Sequence, residues 1–212
     1  RELYLLPELT VSSDDEVKSI LLVSKVPLEK LNNKKVALAN TSATSQILAR
    51  IILKEKYKVT PEYFTCPPNL PEMLLEAEAC LLIGDDALRA LFNPQGLAVF
   101  DLGKEWKDLT KHKMVYAVWA TRKEFVKTHP ELAKEVYNSL RSSMKYSLKN
   151  LEKISFDVSR WEVFTPDFLK EYFLSLKFSF DEEYQRGLIY FLTKAKEYGF
   201  LDSVPSLKFV EV

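Results

Sequence analysis

Histidine, cysteine and glycine are scarce in this 212-residue chain, with two, two and five copies. With so few imidazoles, His129 precedes Pro130 at a helix start and His112 sits in the basic turn Lys111-His112-Lys113. Neither has the neighbours of a Ser-His-Asp arrangement, so triad catalysis is disfavoured. Cys66 and Cys80 have no companion pair and no His-rich partner stretch, which disfavours a zinc or CxxC redox site. Cys80, inside the apolar run AEACLLIG, reads as a small core hydrophobe, and reduced thiols fit the cytoplasm. No Gly-rich phosphate loop and no metal-ligand cluster appears, so neither a cofactor nor a metal is expected.

Net charge is missing as well. Thirty basic and thirty acidic side chains cancel, leaving no excess of phosphate-neutralising charge, so a nucleic-acid partner is not expected. No apolar run reaches the roughly 20 residues of a bilayer span, so no membrane partner is expected. The chain opens at Arg1 without Met, and its first residues lack the basic start, apolar stretch and small-residue cleavage site of a signal peptide.

What is present is alternation of strand and helix. Leu3–Val11 reads as a strand, Ser12–Glu16 as a polar turn and Val17–Val23 as a second strand. Lys35–Ala39 follows, then a helix with Ile47, Leu48, Ile51 and Ile52 on one face. Thr60–Thr65 is a short strand, and Pro71 opens a helix over 72–78. ACLLIGDDALRALF reads as a buried strand, a turn and a short helix. AVFDLG reads as a strand, EWKDLT as a helix and MVYAVWATR (114–122) as a long strand. Apolar strands alternating with helices imply a parallel α/β sheet.

From Thr128 the pattern is helical, through THPELAKEVYNSLRSSMKYSLKNLEKI, then TPDFLKEYFLSL behind a Thr165 cap. A last helix opens at Asp181 and closes at Gly199, and LKFVEV reads as a terminal strand. Trp106 and Trp119 read as core residues. The organisation is two-lobed. An inserted α/β lobe, residues 34–112, lies between the crossing strands SILLVSK and MVYAVWATR, with 1–33 and 113–212 forming the first lobe. Ligands in such sheets bind outside the carboxyl ends of the strands.

Two stretches sit at such ends. In VALANTSATSQILARIIL, residues 36–53, a strand meets Asn40-Thr41-Ser42-Ala43-Thr44-Ser45 and a helix begins. The first helical N–H groups lack internal partners and carry partial positive charge, so neutral hydroxyls and amides there suit a carboxylate. Plain capping needs only one such residue, and both readings stand. In Gly84-Asp85-Asp86, Asp86 is expected to cap the following helix. Asp85 is open to capping, to orienting a ligand hydroxyl or to taking a proton.

LLPELTVSS, VKSILLVSKVPLEKL, KKVALANTSATSQIL, EAEACLLIGDDALR, FDLGKEWKDLT and MVYAVWATR, over about residues 4–122, together resemble the chorismate dehydratases, menaquinone-biosynthesis enzymes of the futalosine route. The resemblance implies a two-lobed type II periplasmic-binding-protein-like fold with a helical C-terminal region. It also implies dehydration of chorismate, a small dicarboxylate, to 3-[(1-carboxyvinyl)oxy]benzoate in the cytoplasm. Thr41, Ser42, Ala43 and Thr44 then line the cleft and hold a substrate carboxylate, with Ser42 the candidate for stabilising the transition state and Asp85 a further substrate-binding candidate. Family members begin with a further strand–helix–strand–helix stretch containing Ser-Tyr-Leu-Asn, which this sequence does not carry, and KHK stands where Gly-Leu-Pro-like residues are expected. Two alternatives remain: the sister enzyme forming 1,4-dihydroxy-6-naphthoate, which relies on a histidine base, and a non-catalytic binder of a small carboxylate.

Overall fold

The side chains of Leu21–Val23, Val36–Ala39 and Ala79–Leu82 are enclosed on both sides, which requires a sheet covered on both faces. The computed structural model describes residues 2–211. Its strands are Leu3–Ser13 (β1), Ile20–Ser24 (β2), Lys35–Ala39 (β3), Glu62–Cys66 (β4), Ala79–Ile83 (β5), Ala98–Asp101 (β6) and Met114–Arg122 (β7). The helices are Ala43–Glu55 (α1), Leu70–Glu76 (α2), Gly84–Phe92 (α3), Leu102–Thr110 (α4), Lys123–Thr128 (α5), Pro130–Lys149 (α6), Leu151–Ser159 (α7), Pro166–Ser175 (α8) and Glu182–Glu197 (α9).

Five strands form one sheet in the order β4-β3-β5-β2-β6, and β1 pairs with β7 as a separate antiparallel ribbon. Period-two alternation sorts the core. Leu22, Val36, Leu38 and Leu81 face α1 and α4, packing on Leu48, Ile52 and Trp106. Leu21, Val23, Ala37, Cys80 and Leu82 face α2 and α3, packing on Met73, Ala87 and Ala90.

Two expectations change here. SILLVSK, expected to cross between lobes, instead forms β2 inside the five-stranded sheet between β5 and β6, while MVYAVWATR pairs with β1. The sheet is also mixed. β3 runs parallel to β4 and β5, while β2 runs antiparallel to both neighbours. The reason is the direction of entry. β1 delivers the chain to the edge where β3, β5 and β6 end, and a strand entering there runs against them.

The C-terminal helices grip this sheet from both faces. On α9, Tyr190 and Phe191 pack edge-on against Trp106, and Lys194 pairs with Glu55 at 3.1 Å. On the other face, Phe164 and Phe168 pack on Phe92, at the end of α3.

The capping residues Thr165 and Asp181 act as read, and Gly199 has φ +75°. The helical stretch from Thr128 is broken at Asn150, whose amide side chain donates to the Tyr146 carbonyl at 2.8 Å and so closes α6. Its first residue is Pro130, and His129, not Thr128, precedes it without a side-chain cap. Of LKFVEV, whose Val212 lies outside the described residues, the described part forms a single parallel bridge, Leu5 to Phe209. Trp119 is 46% exposed, not core. His112 is half-buried and stacks on Tyr190 at 4.3 Å, so the solvated turn is in fact a packing contact.

Candidate functional site

β3, β4, β5 and β6 all end at one edge of the five-stranded sheet, and β2 begins there. The hydroxyl cluster leaves the end of β3. Asn40 N–H donates to the Cys66 carbonyl at 3.0 Å and Gln46 Nε2 donates to the Ala39 carbonyl at 2.9 Å, so both sides of the turn are tied down. Ser42 is extended, with φ −149° and ψ 110°, and is the N-cap of α1. Its oxygen accepts the Ser45 N–H at 3.2 Å and lies 2.9 Å from the buried Ser45 hydroxyl.

Capping is therefore real, and it engages Ser42 alone. The amides of Ala43 and Thr44 have no acceptor inside the helix. Thr41 and Ala43 are exposed, and Ser42 and Thr44 are half-buried. The arrangement presents neutral donors to solvent at the positive end of a 13-residue helix, which is chemistry for holding and polarising an anion.

At the neighbouring strand end, Gly84 has φ +61°, a conformation glycine reaches without penalty, and the chain turns straight into α3. The residue before α3 is Ile83, with no side-chain cap, so Asp86 does not cap the helix as expected. It lies in the first turn, with Oδ1 3.6 Å from Arg89. Helix α3 begins at Gly84, two residues too early for a cap at Asp85 and three for one at Asp86, because the glycine turn itself opens it. Asp85 is exposed on the same first turn and makes no ion pair among the described residues. Thr41–Thr44 and Asp85 thus share one edge on adjacent strands, with no hydrogen bond between them among the described residues.

The residue that sequence reading missed is Asp101, at the end of β6. Its half-buried carboxylate accepts from Val17 and Lys18 N–H as well as from Gly103 and Lys104 N–H. Burial pushes its pKa upward, against the opposing pull of these four backbone donors. The signal was present, since Asp-Leu-Gly before a helix is a cap pattern, but its partners at 17 and 18 lie far off in sequence. Nearby, the enclosed Tyr116 hydroxyl meets Ser13 Oγ at 2.8 Å, and burial drives its pKa upward.

Other features lie elsewhere. An apolar cavity of about 420 Å³ is lined by residues including Leu9, Trp119, Leu140 and Met144, and none of Thr41–Thr44 or Asp85 borders it. Among the described residues no group of three or more His, Cys, Asp and Glu side chains could hold a metal, and no helix is long and apolar enough to cross a membrane.

The fold defines the class first. A solved protein of Archaeoglobus fulgidus superposes with a TM-score of 0.74 at 17% identity, over 94% of this chain and 74% of that one. A Candida albicans protein described as having the generic periplasmic binding protein fold superposes at 0.64, with 9% identity, over 99% of this chain and 74% of that one. The molecule is a periplasmic-binding-protein-like α/β protein. Residues 1–197 match the menaquinone-biosynthesis family, and the chain belongs to that family. It is 30% identical to the chorismate dehydratase of Thermus thermophilus over 201 residues, spanning 88% of this chain and 71% of that relative.

Proposed function

We infer that this protein is a hydro-lyase that removes water from chorismate to give 3-[(1-carboxyvinyl)oxy]benzoate. The observation that carries the reading is the start of α1. There the Ser42 hydroxyl and the free amides of Ala43 and Thr44 stand at a strand's carboxyl end, in a chain related to a chorismate dehydratase. The lobe division carried with it sets 34–112 against 1–33 and 113–212, except that β2, within 1–33, pairs into the sheet of the inserted lobe.

The chemistry follows from the substrate. The C–H bond at the ring carbon bearing the enol ether breaks, and its electron pair spreads through the ring to the ring carboxylate. It then returns to expel hydroxide from the neighbouring carbon, the ring becomes aromatic, and water departs. Negative charge builds on the ring carboxylate, so donors aimed there bind the transition state more tightly than the ground state. Thr41, Ser42, Ala43 and Thr44 take that role, and Asp85 contacts the substrate from the adjoining strand end. The enolpyruvyl carboxylate of the substrate takes the proton. A histidine base, as in the sister naphthoate-forming enzyme, is not supplied by His112, which packs against Tyr190 beyond the far end of α4.

Incubation with chorismate, followed by mass spectrometry, tests the reading. The enolpyruvyl benzoate should accumulate in proportion to protein. Tight chorismate binding without product would make the chain a binder of small carboxylates, and neither binding nor product would sink both readings. An analogue lacking the enolpyruvyl carboxylate should not react, and its dehydration at full rate would remove the substrate-as-base step.

A further inference from the structure

We propose that Asp101 and Gly103 form a positioning clamp for the substrate edge, holding the reversal Val17–Ser19 against the end of β6 and through it setting Gly84 and Asp85. The proposal rests on the reading of Thr41–Thr44 and Asp85 as the substrate-holding edge.

Capping α4 accounts for only half of what Asp101 does. Its Oδ1 accepts from Gly103 N–H at 2.8 Å and Lys104 N–H at 3.1 Å, which is the cap. Its other contacts leave the helix altogether. Val17 N–H lies 3.1 Å from each carboxylate oxygen, and Lys18 N–H lies 2.6 Å from Oδ2. These amides belong to the link by which β1 feeds β2.

That link is strained. Lys18 has φ +61°, and Ser19 N–H donates to the Val17 carbonyl at 2.8 Å, a three-residue reversal that an ordinary side chain adopts only under constraint. The carboxylate facing both amides is the constraint. The Ser19 carbonyl then accepts Gly84 N–H at 2.8 Å, immediately before Asp85. One unbroken path of hydrogen bonds therefore runs from Asp101 through the reversal to the first turn of α3.

Gly103 adds the ribbon to the same point. A Cβ there would strike the Asp15 carbonyl and lie 2.7 Å from the Tyr116 hydroxyl and 2.9 Å from Ser13 Oγ. Ser13 is on β1 and Tyr116 on β7, so both strands of the ribbon close onto the first turn of α4. A side chain at 103 would hold the ribbon off the sheet.

The test uses Asp101→Asn in the whole chain. The amide keeps Oδ1 for the cap but turns an NH2 toward the Lys18 N–H, so the clamp is released selectively. Asp181→Ala, which removes the two-donor cap of α9, serves as the control. Hydrogen exchange by mass spectrometry should accelerate over residues 14–20 and 80–90 in Asp101→Asn but not in Asp181→Ala. Chorismate turnover should fall about tenfold or more in kcat, with KM within about threefold, because a misplaced edge slows the chemistry while the α1 holder is intact.

Adding Lys18→Gly should restore much of both signals, since glycine adopts the reversal unaided. A general folding defect gains nothing from that change. Unchanged exchange at 80–90, a kcat equal to that of Asp181→Ala, or no rescue overturns the clamp. If Asp101→Asn does not fold, recovery of folding in the double variant supports the clamp, and failure to recover overturns it. If the parent protein leaves chorismate intact, the dehydratase reading falls and exchange with its rescue alone decides the clamp.

Discussion

Ser42 has two acceptor sites and one proton on a single oxygen. One acceptor site takes the Ser45 amide, and the proton is free for either Ser45 or a bound carboxylate. Ser42→Ala should therefore cost about 1 kcal/mol of stability as a lost cap, measured by urea unfolding. As a lost transition-state donor it should also lower kcat about 100-fold. Thr165→Ala, which removes an equivalent cap on α8, should match the stability loss and leave turnover intact. The two thiols differ by position alone. Cys80 is enclosed and its pKa is pushed up to about 12 by burial, while Cys66 is half-buried and raised for the same reason. At pH 8 a thiol with the pKa of Cys80 is thiolate only on the order of one part in ten thousand. Iodoacetamide at that pH should label Cys66 slowly and Cys80 only after unfolding, with labelling of Cys66 rising as pH increases. Fast labelling of Cys80 in the native protein would contradict its place in the sheet.

Elements owe their ends to local chemistry and their seats to distant contacts. The ends of α9 were legible because Asp181 accepts from Glu183 and Tyr184 N–H and Gly199 takes a left-handed φ. Its seat was not legible, because Gly187 looks like a helix-weakening residue in sequence. In the fold, a Cβ at 187 would strike the Lys113 carbonyl, just before β7. Gly187→Ala gains helix propensity yet should lose about 1–3 kcal/mol through overpacking, read as a fall of roughly 3–10 °C in melting temperature. A rise in melting temperature would show that α9 can slide on β7. The same logic covers Trp106 and Trp119, both read as core residues. Trp106 is covered by Tyr190 and Phe191 of α9, while Trp119 stands on the two-stranded ribbon at the wall of the apolar cavity, half in solvent.

At the scale of the molecule, several large apolar side chains stand in solvent. Trp119, Leu148, Phe156, Trp161 and Val163 are all exposed, Trp161 to 87%, and Trp119 and Leu148 help line the apolar cavity. Exposed apolar surface beside an apolar cavity favours association and binding of hydrophobic probes. The 212-residue chain should enhance the fluorescence of an anionic naphthalene dye while natively folded and should sediment faster as concentration rises. A dye-silent monomer at all concentrations would mean that this surface closes on itself in solution.

Strand and helix order, most caps and the hydroxyl-rich start of α1 were written in the sequence, because period, capping and turn chemistry act within about four residues. So was the resemblance that pointed to a two-carboxylate substrate. Only the tertiary structure decided that β2 lies reversed inside the sheet and that β1 and β7 pair as a separate ribbon. It also freed Asp86 from capping and gave Asp101 its second set of partners. Those outcomes depend on pairings such as Val17 with Asp101, 84 positions apart, and no local pattern encodes which distant amide a carboxylate will meet.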